Sequence, residues 1–445
     1  MVQVRGRMKI AIIGSGISGL TCAWLLRKRH QVQVFEAGNY VGGHTHTVDF
    51  ALDGRGYSVD TGFIVCNDRT YPNFLRLLDH LGVARRPSEM SFSVRCDMTG
   101  LEYSGSGLNG LFVQRRNLLR PAFLKMVADI LRFNKKGTRD AGTVSQSTTV
   151  GEYIEEHGYG SHFEQHYLLP MGAAIWSCPT GTFRDFPIRF ILDFYHHHGL
   201  LSLTNRPQWY VIEGGSKQYI KALTAGFEDQ IHLNCAASSI NRSKDGVTVC
   251  SPRGTEQFDE VIFACHSDQA LALLNMPTSE ELEILKAFPY SANDAVLHTD
   301  KSVLPRRKAA WSSWNYRIRP DLNNRPTVTY NMNILQGINS PHTFCVSLND
   351  VDQISDEKVI GRYRYSHPVF SIQRSTMQAR HRELIRHNRT SFCGAYWGNG
   401  FHEDGVVSAL HVCRQFGALH ILDVELSDMM PSECSSIGPS ISAGA

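Results

Sequence analysis

Gly14-Ser15-Gly16-Ile17-Ser18-Gly19 is the stretch of this chain whose residue types and spacing say most about chemistry. It lies between an apolar run, Met8 to Ile13, and a helix-like stretch ending near Arg29. A glycine-cornered turn of this kind leaves backbone N–H groups bare at the positive end of a helix, where a pyrophosphate can sit. Gly14 permits the tight turn, Gly16 withholds the side chain that would block the phosphates, and Gly19 lets the helix lie close on the strand. Ser15, Ile17 and Ser18 complete this cofactor-binding turn. A second apolar run, Val32 to Phe35, ends in Glu36-Ala37, with Glu36 placed to accept hydrogen bonds from an adenosine ribose. Its charge would face a 2′-phosphate, so the ribose it suits is unphosphorylated.

A paired glycine follows in Glu36-Ala37-Gly38-Asn39-Tyr40-Val41-Gly42-Gly43-His44-Thr45-His46-Thr47. It lets another loop approach the same cofactor, which a plain NAD fold does not need. Here the chain resembles the flavoprotein family of amine oxidases, phytoene desaturases and protoporphyrinogen oxidases. That family's pattern is a ribose acid, a short spacer, then Gly-Gly-Arg with Thr or Ser following. His44 stands where arginine is usual, and a neutral imidazole donates one hydrogen bond but lacks the bidentate fork.

The resemblance implies FAD as cofactor. It also implies an α/β fold: a Rossmann-like FAD-binding domain of the glutathione-reductase/amine-oxidase type, with an interleaved α+β substrate domain. Cys393-Gly394-Ala395-Tyr396-Trp397-Gly398-Asn399-Gly400-Phe401-His402-Glu403-Asp404-Gly405-Val406 looks like the family's closing flavin motif, with a helix starting near Asp404. A helix N-terminus there stabilises the negative charge of reduced flavin around N1 and O2. By resemblance the Glu403 backbone N–H faces that edge, and Gly394, Asp404 and Val406 belong to the same cofactor site. Asp60-Thr61-Gly62-Phe63-Ile64 looks like the strand and turn beside the isoalloxazine, which adds Gly62, Phe63 and Ile64 to Gly42, Gly43, His44 and Thr45. The backbone at Ala237 would bracket the adenine. Ile231 to Ile240 and Gly246 to Cys250 read as short strands, and Glu260 to Cys265 as a buried strand of the cofactor sheet. The cofactor domain is therefore expected over 1–79, 205–272 and 386–426, the substrate domain over 80–204 and 273–385, and a loose tail over 427–445.

Many amine oxidases carry a lysine that reaches flavin N5 through water. The corresponding stretch, Phe288 to Asp300, has no lysine before Lys301, which weakens an amine substrate. Pro170 to Ser177, Phe194 to Trp209 and Trp311-Ser312-Ser313-Trp314-Asn315-Tyr316, with Gly400 to Gly405, are similar to a bacterial group of FAD-binding oxidoreductases. Members of that group accompany methyltransferases of the cyclopropane-fatty-acid-synthase type. This implies an unsaturated or methyl-branched acyl chain, free or in phospholipid, as the substrate of a desaturation, and a fatty-acid methyltransferase as a possible associate. The candidates for catalytic or pocket roles are His298, Asn293, Asn315, Tyr316, Tyr396 and His402, together with Asp294, Trp314, Tyr330 and Asn331. Three other readings stay open: a fatty acid double-bond isomerase, an amine oxidase-like enzyme, and a non-catalytic flavoprotein partner of a lipid methyltransferase.

The rest of the composition bounds the setting. With 445 residues and 42% apolar content, the chain can bury a large core. The eleven cysteines are scattered without a CxxC pair, which points to neither a disulfide framework nor a zinc site. Arg5, Arg7 and Lys9 lead straight into the first strand rather than into a secretory leader, so a cytoplasmic location is expected. His196-His197-His198 is no metal site by this reading, because consecutive side chains diverge. A net charge of +3 hides one asymmetry: from Arg115 to Asp140 there are eight Lys or Arg and two acidic residues, interleaved with apolar ones. Pro121 fits a first helical turn, and the residues after it suit a basic amphipathic helix in contact with the inner membrane face. No recognition motif accompanies it that would suggest nucleic acid.

Overall fold

The computed structural model describes residues 6–176, 180–202, 204–320, 327–369 and 372–418. Ser177 and the 427–445 tail lie outside them. Two sheets carry the architecture. The first is parallel and five-stranded, in the order Ile231–His232, Gln31–Phe35, Lys9–Ile13, Glu260–Phe263, Thr390–Phe392. Its central strand, Lys9–Ile13, pairs Ile10 with Val32 on one side and with Glu260 on the other. A continuous apolar run suits such a strand because both faces are covered. Ile10, Ile12, Val32, Val34 and Ile262 meet the helices Ile17–Leu26 and His402–Gln415 on one face. Ala11, Ile13, Val261 and Phe263 face an antiparallel three-stranded sheet, Ser239–Arg242, Val247–Ser251 and Gly254–Phe258, on the other.

The second sheet has seven strands, in the order Val359–Pro368, Tyr290–His298, Cys345–Leu348, Thr327–Asn331, Trp314–Ile318, Phe92–Cys96, Glu102–Ser104. One pair, Trp314–Ile318 with Phe92–Cys96, is parallel, and the others are antiparallel. Helices Pro121–Asp140, Val150–Glu156, Leu169–Trp176 and Ile188–His197 pack with Val94, Tyr316 and Val328 of this sheet in one aromatic-rich core. Pro121 opens the first of them, where a missing N–H costs nothing. Thr149 and Glu152 form a reciprocal capping box at the second.

Two local expectations shift. The closing helix begins at His402 rather than near Asp404, because the Asp404 carboxylate accepts the Phe401 N–H (2.8 Å) and so acts from inside the first turn. The expected strands over 231–240 reduce to Ile231–His232 and Ser239–Arg242. Between them Asn234 adopts φ 49° and its N–H donates to the Gly38 carbonyl, which lays the segment along the Glu36 loop instead of in a sheet.

Candidate cofactor site

Strand Lys9–Ile13 ends in the glycine turn. Gly14 takes φ 106°, beyond the reach of an L side chain without strain, and its N–H donates to the Phe35 carbonyl (2.8 Å). A Cβ on Gly19 would collide with the Gly14 carbonyl and approach Ala264 Cβ at 3.0 Å, so this glycine seats the helix on the strand. Gly16 is different. Its backbone is ordinary (φ −68°, ψ 177°), and a Cβ built there meets nothing within 4 Å. The space beside it is a cradle that a side chain would fill and that protein atoms leave free.

The paired-glycine loop closes on the same spot. Gly42 bridges Gly16, and a Cβ on Gly43 would sit 3.2 Å from the Gly16 Cα. The Glu36 carboxylate organises the junction: one oxygen accepts from Ser15 N–H (2.8 Å) and Ser15 Oγ (2.6 Å), the other from Gly38 N–H (2.7 Å). Cys235 N–H donates to the Glu36 carbonyl (2.8 Å), two residues before Ala237.

The distant C-terminal motif joins here. A Cβ on Gly405 would lie 2.8 Å from Ile17 Cγ2 and 3.0 Å from Ser18 Oγ, so the first turns of helices Ile17–Leu26 and His402–Gln415 touch. Two positive helix ends thus open toward one region. Val406 is fully buried behind them, and the Gly394 N–H donates to Ser408 Oγ (2.9 Å), pinning the preceding loop to the helix. Arg374 and Gln378 donate to the Tyr396 and Gly398 carbonyls from outside that loop.

Glu403 has a second task. Its carboxylate accepts from Asn73 N–H (3.0 Å), Asn73 Nδ2 (2.6 Å) and Phe74 N–H (2.8 Å), capping helix Pro72–His80, and burial pushes its pKa up to about 7. Burial raises Asp404 to about 6. His402 stacks on Phe63 with ring centroids 3.6 Å apart, and its Nε2 bonds Thr45 Oγ1 (2.9 Å) and Tyr219 OH (3.0 Å). Burial lowers its pKa to about 3, so it is neutral. Gly62 passes so close to the His44 carbonyl that a Cβ would collide with it, and the Phe63 N–H donates to that carbonyl (2.7 Å). Ile64 is buried just beyond.

His44 bears on the missing arginine. The residue is half-buried with its Nε2 inaccessible and without a hydrogen-bond partner, and desolvation holds its pKa well below the usual histidine value, so the ring is neutral. His367 and His266 lie at 5.5 and 6.2 Å between ring centroids, and Tyr365 at 5.2 Å. A buried polar nitrogen without a partner beside an open glycine cradle fits a pyrophosphate acceptor. Gly14 to Gly19, Glu36, Gly42 to Thr45 and the first turn of helix His402–Gln415 are the groups that would hold FAD.

The other candidates are placed unevenly. His298 is fully buried, bonded to Ser347 Oγ (2.8 Å) and to the Asp300 N–H (3.0 Å), which makes it a sheet residue. Asn315 is likewise occupied: its Oδ1 accepts from Ser93 Oγ and Ser312 N–H, and its Nδ2 donates to Ser312 and Thr329 carbonyls. Asn293 pairs with Asn349 and with His367 Nδ1 (3.1 Å). Asn331 caps a short helix through Ile334 N–H, and Asp294 is exposed. Tyr396 packs on Phe288 in the core on the opposite face of the parallel sheet from the closing helix. Tyr316 is buried in the helix-packed core, whereas Trp314 and Tyr330 meet edge to face at 5.0 Å. Cys393 faces Cys22 at 3.9 Å inside the core. His197 bonds the Asp193 carbonyl and His198 the Phe194 carbonyl, so each turns back on its own helix.

Sequence reasoning missed Tyr219, His266, His367 and the role of Asp60. Asp60 accepts from Thr47 Oγ1 (2.5 Å), Ser216 N–H (2.9 Å) and Gln336 Nε2 (2.9 Å), and burial pushes it up to about 6. The signal that could have found it is Glu213-Gly214-Gly215-Ser216, whose φ values of 77° and 89° at the glycines aim Ser216 at that carboxylate. No helix among the described residues is long and apolar enough to cross a membrane.

A family model described as flavin containing amine oxidoreductase matches residues 17–327. An L-amino-acid oxidase of Siganus canaliculatus is 23% identical over 327 residues, 66% of this chain and 57% of that protein. The chain thus spans a little over half of that relative's length. A 1-hydroxycarotenoid 3,4-desaturase of a Flavobacterium species is 46% identical over 55 residues, 12% of this chain and 10% of that protein. Among solved structures, a CLA-producing fatty acid isomerase from P. acnes superposes with TM-score 0.65 at 15% identity, covering 93% of this chain and 100% of that one. At that identity the likeness is one of fold.

Proposed function

The chain belongs to the flavin-containing amine oxidoreductase family, and from that premise we propose that it is an FAD-dependent oxidoreductase acting on an apolar acyl chain, unsaturated or methyl-branched. The observation that carries the substrate class is the position of Phe401. This residue opens the closing helix, and it packs against both the core under the dinucleotide turn and the aromatic cluster beneath the seven-stranded sheet. Phe194 stacks on it at 5.5 Å, Trp176 stands 4.9 Å from Phe194, and Trp314 and Tyr330 belong to the same cluster. Aromatic and aliphatic walls reward the burial of apolar surface.

Bound FAD supplies the hydride acceptor. In the proposed reaction the activated allylic carbon would give up a proton to water, the neighbouring carbon would give up hydride to the bound cofactor, and a new C=C bond would form. Oxygen or a quinone would serve as the final electron acceptor. The protein's share is placement and exclusion of water. The two helix ends would stabilise charge at the cofactor edge, Phe63 and His402 would fix the loop that meets it, and the aromatic cluster would align the chain. His402 is held neutral by burial and already bonded to Thr45 and Tyr219, so it is a positioning residue.

A carotenoid desaturase and a fatty acid isomerase among the similar proteins accord with hydride chemistry on apolar chains. The test is anaerobic mixing of the oxidised holoprotein with a fractionated lipid extract and, separately, with small amines. Bleaching of the flavin by lipid, with a product lighter by two hydrogens, supports desaturation. Product of unchanged mass means isomerisation, and bleaching by amine alone overturns the acyl reading.

A further inference from the structure

Among the described residues eight large apolar side chains stay exposed, and five of them, Leu108, Leu118, Leu119, Leu124 and Leu131, fall in one short stretch. Leu119 is 87% exposed. Helix Pro121–Asp140 already spends one apolar face on the fold: Phe123, Met126 and Phe133 are buried, and Gly137 fits against Leu192 and Leu201. Leu124, Val127, Ala128 and Leu131 form a second apolar stripe at i, i+3, i+4 and i+7, turned roughly a third of a circle away from the first. The five-residue 3₁₀ turn Arg115–Leu119 before it carries Leu118 and Leu119 outward beside Arg115, Arg116 and Arg120, all exposed. No carboxylate among the described residues lies within ion-pair distance of those three arginines, whereas Lys125 and Arg132 share Asp129, and Lys136 pairs with Asp140.

We propose that the surface formed by residues 108–131 docks the protein on an anionic phospholipid bilayer, the leucines entering the acyl boundary while the arginines meet the headgroups. The charge complementarity chooses the occupant: guanidinium groups with no carboxylate partner among the described residues, set among outward leucines, match a surface that is negative at headgroup level and apolar just below. Arginine stems lie along such a boundary with their heads in the charged layer. The proposal does not depend on the substrate assignment, since it concerns a face and not the cofactor cleft.

The experiment is co-sedimentation of the full-length holoprotein with vesicles of phosphatidylcholine alone or phosphatidylcholine mixed with phosphatidylglycerol. Binding is expected to the anionic vesicles and to fall with added salt. Arg115→Gln/Arg116→Gln/Arg120→Gln should lower the partition coefficient about a hundredfold, at about fivefold for each charge removed. Leu118→Ser/Leu119→Ser should lower it at least about tenfold. Retained flavin content and circular dichroism show that the variants fold, as expected for exposed positions. Equal binding to neutral vesicles, no binding to either, or variants that bind like the parent each overturn the proposal. So does concentration-dependent self-association through this face without vesicle binding.

Discussion

Replacing Gly16 with valine separates cofactor binding from folding. The position has φ −68° and ψ 177°, which any L-residue adopts, and a Cβ there meets no protein atom within 4 Å. Gly16 is the N-cap of helix Ile17–Leu26, where valine is a poorer cap than glycine, so the apoprotein of Gly16→Val should lose no more than about 1 kcal/mol of stability. The valine methyls would occupy the cradle and hold a pyrophosphate off the backbone N–H groups. Each lost charge-assisted hydrogen bond costs about 1.5–3 kcal/mol, so losing two weakens FAD binding by about 3–6 kcal/mol, a factor of roughly 10² to 10⁴. Gly19→Ala is the control with the opposite pattern: its Cβ would collide with the Gly14 carbonyl, so it should destabilise the apoprotein by about 1–3 kcal/mol. The assays are guanidinium unfolding of the two apoproteins and titration with FAD followed by flavin fluorescence. A Gly16→Val protein that binds FAD as the parent does, or that unfolds along with losing the cofactor, refutes the reasoning.

Other outcomes rest on the same geometry. Glu403→Ala strips the cap from helix Pro72–His80 and leaves the Asn73 and Phe74 N–H groups without an acceptor, so stability should fall by about 1–3 kcal/mol in denaturant unfolding. His298→Ala removes a bonded sheet residue; thermal unfolding should occur at lower temperature, while the rate of flavin reduction by substrate stays the same in stopped-flow. The pH dependence has a definite sign. Burial lowers His198, His298 and His367 to about 4 and His381 and His402 to about 3, so near pH 5 the unfolded chain binds close to five more protons at these sites. Burial raises Asp60 and Asp404 to about 6 and Glu403 to about 7, so the folded chain gains between two and three protons in return. Over these eight groups the unfolded chain holds about two more protons, so their contribution to stability should fall by about 3 kcal/mol for each pH unit of acidification near pH 5, read from chemical unfolding at stepped pH.

The cofactor end of this fold was legible because its constraints are local. Gly14, Gly16 and Gly19 each answer a separate steric demand that shows in spacing alone, and Glu36 closes the motif within one strand. The C-terminal motif was legible by resemblance, and Gly405 supplies its physical reason, the close approach of two helix starts. What stayed hidden depends on partners far apart in the chain. His402 reads as a reactive imidazole in isolation, yet it is tied to Thr45 and Tyr219. His298 and Asn315 look like site residues in a strand and turn out to be bonded across a mixed sheet whose strand order no periodicity reveals. His266 and His367 gather near His44 from two other strand ends, so no local spacing announces them.

The two ends of the chain meet where a single flavin site would form. The direct measurement is the visible absorption spectrum and FAD content of the purified protein before and after acid precipitation. One FAD per chain, released intact into the supernatant, is the predicted result. A colourless protein that takes up no FAD when the cofactor is added contradicts it.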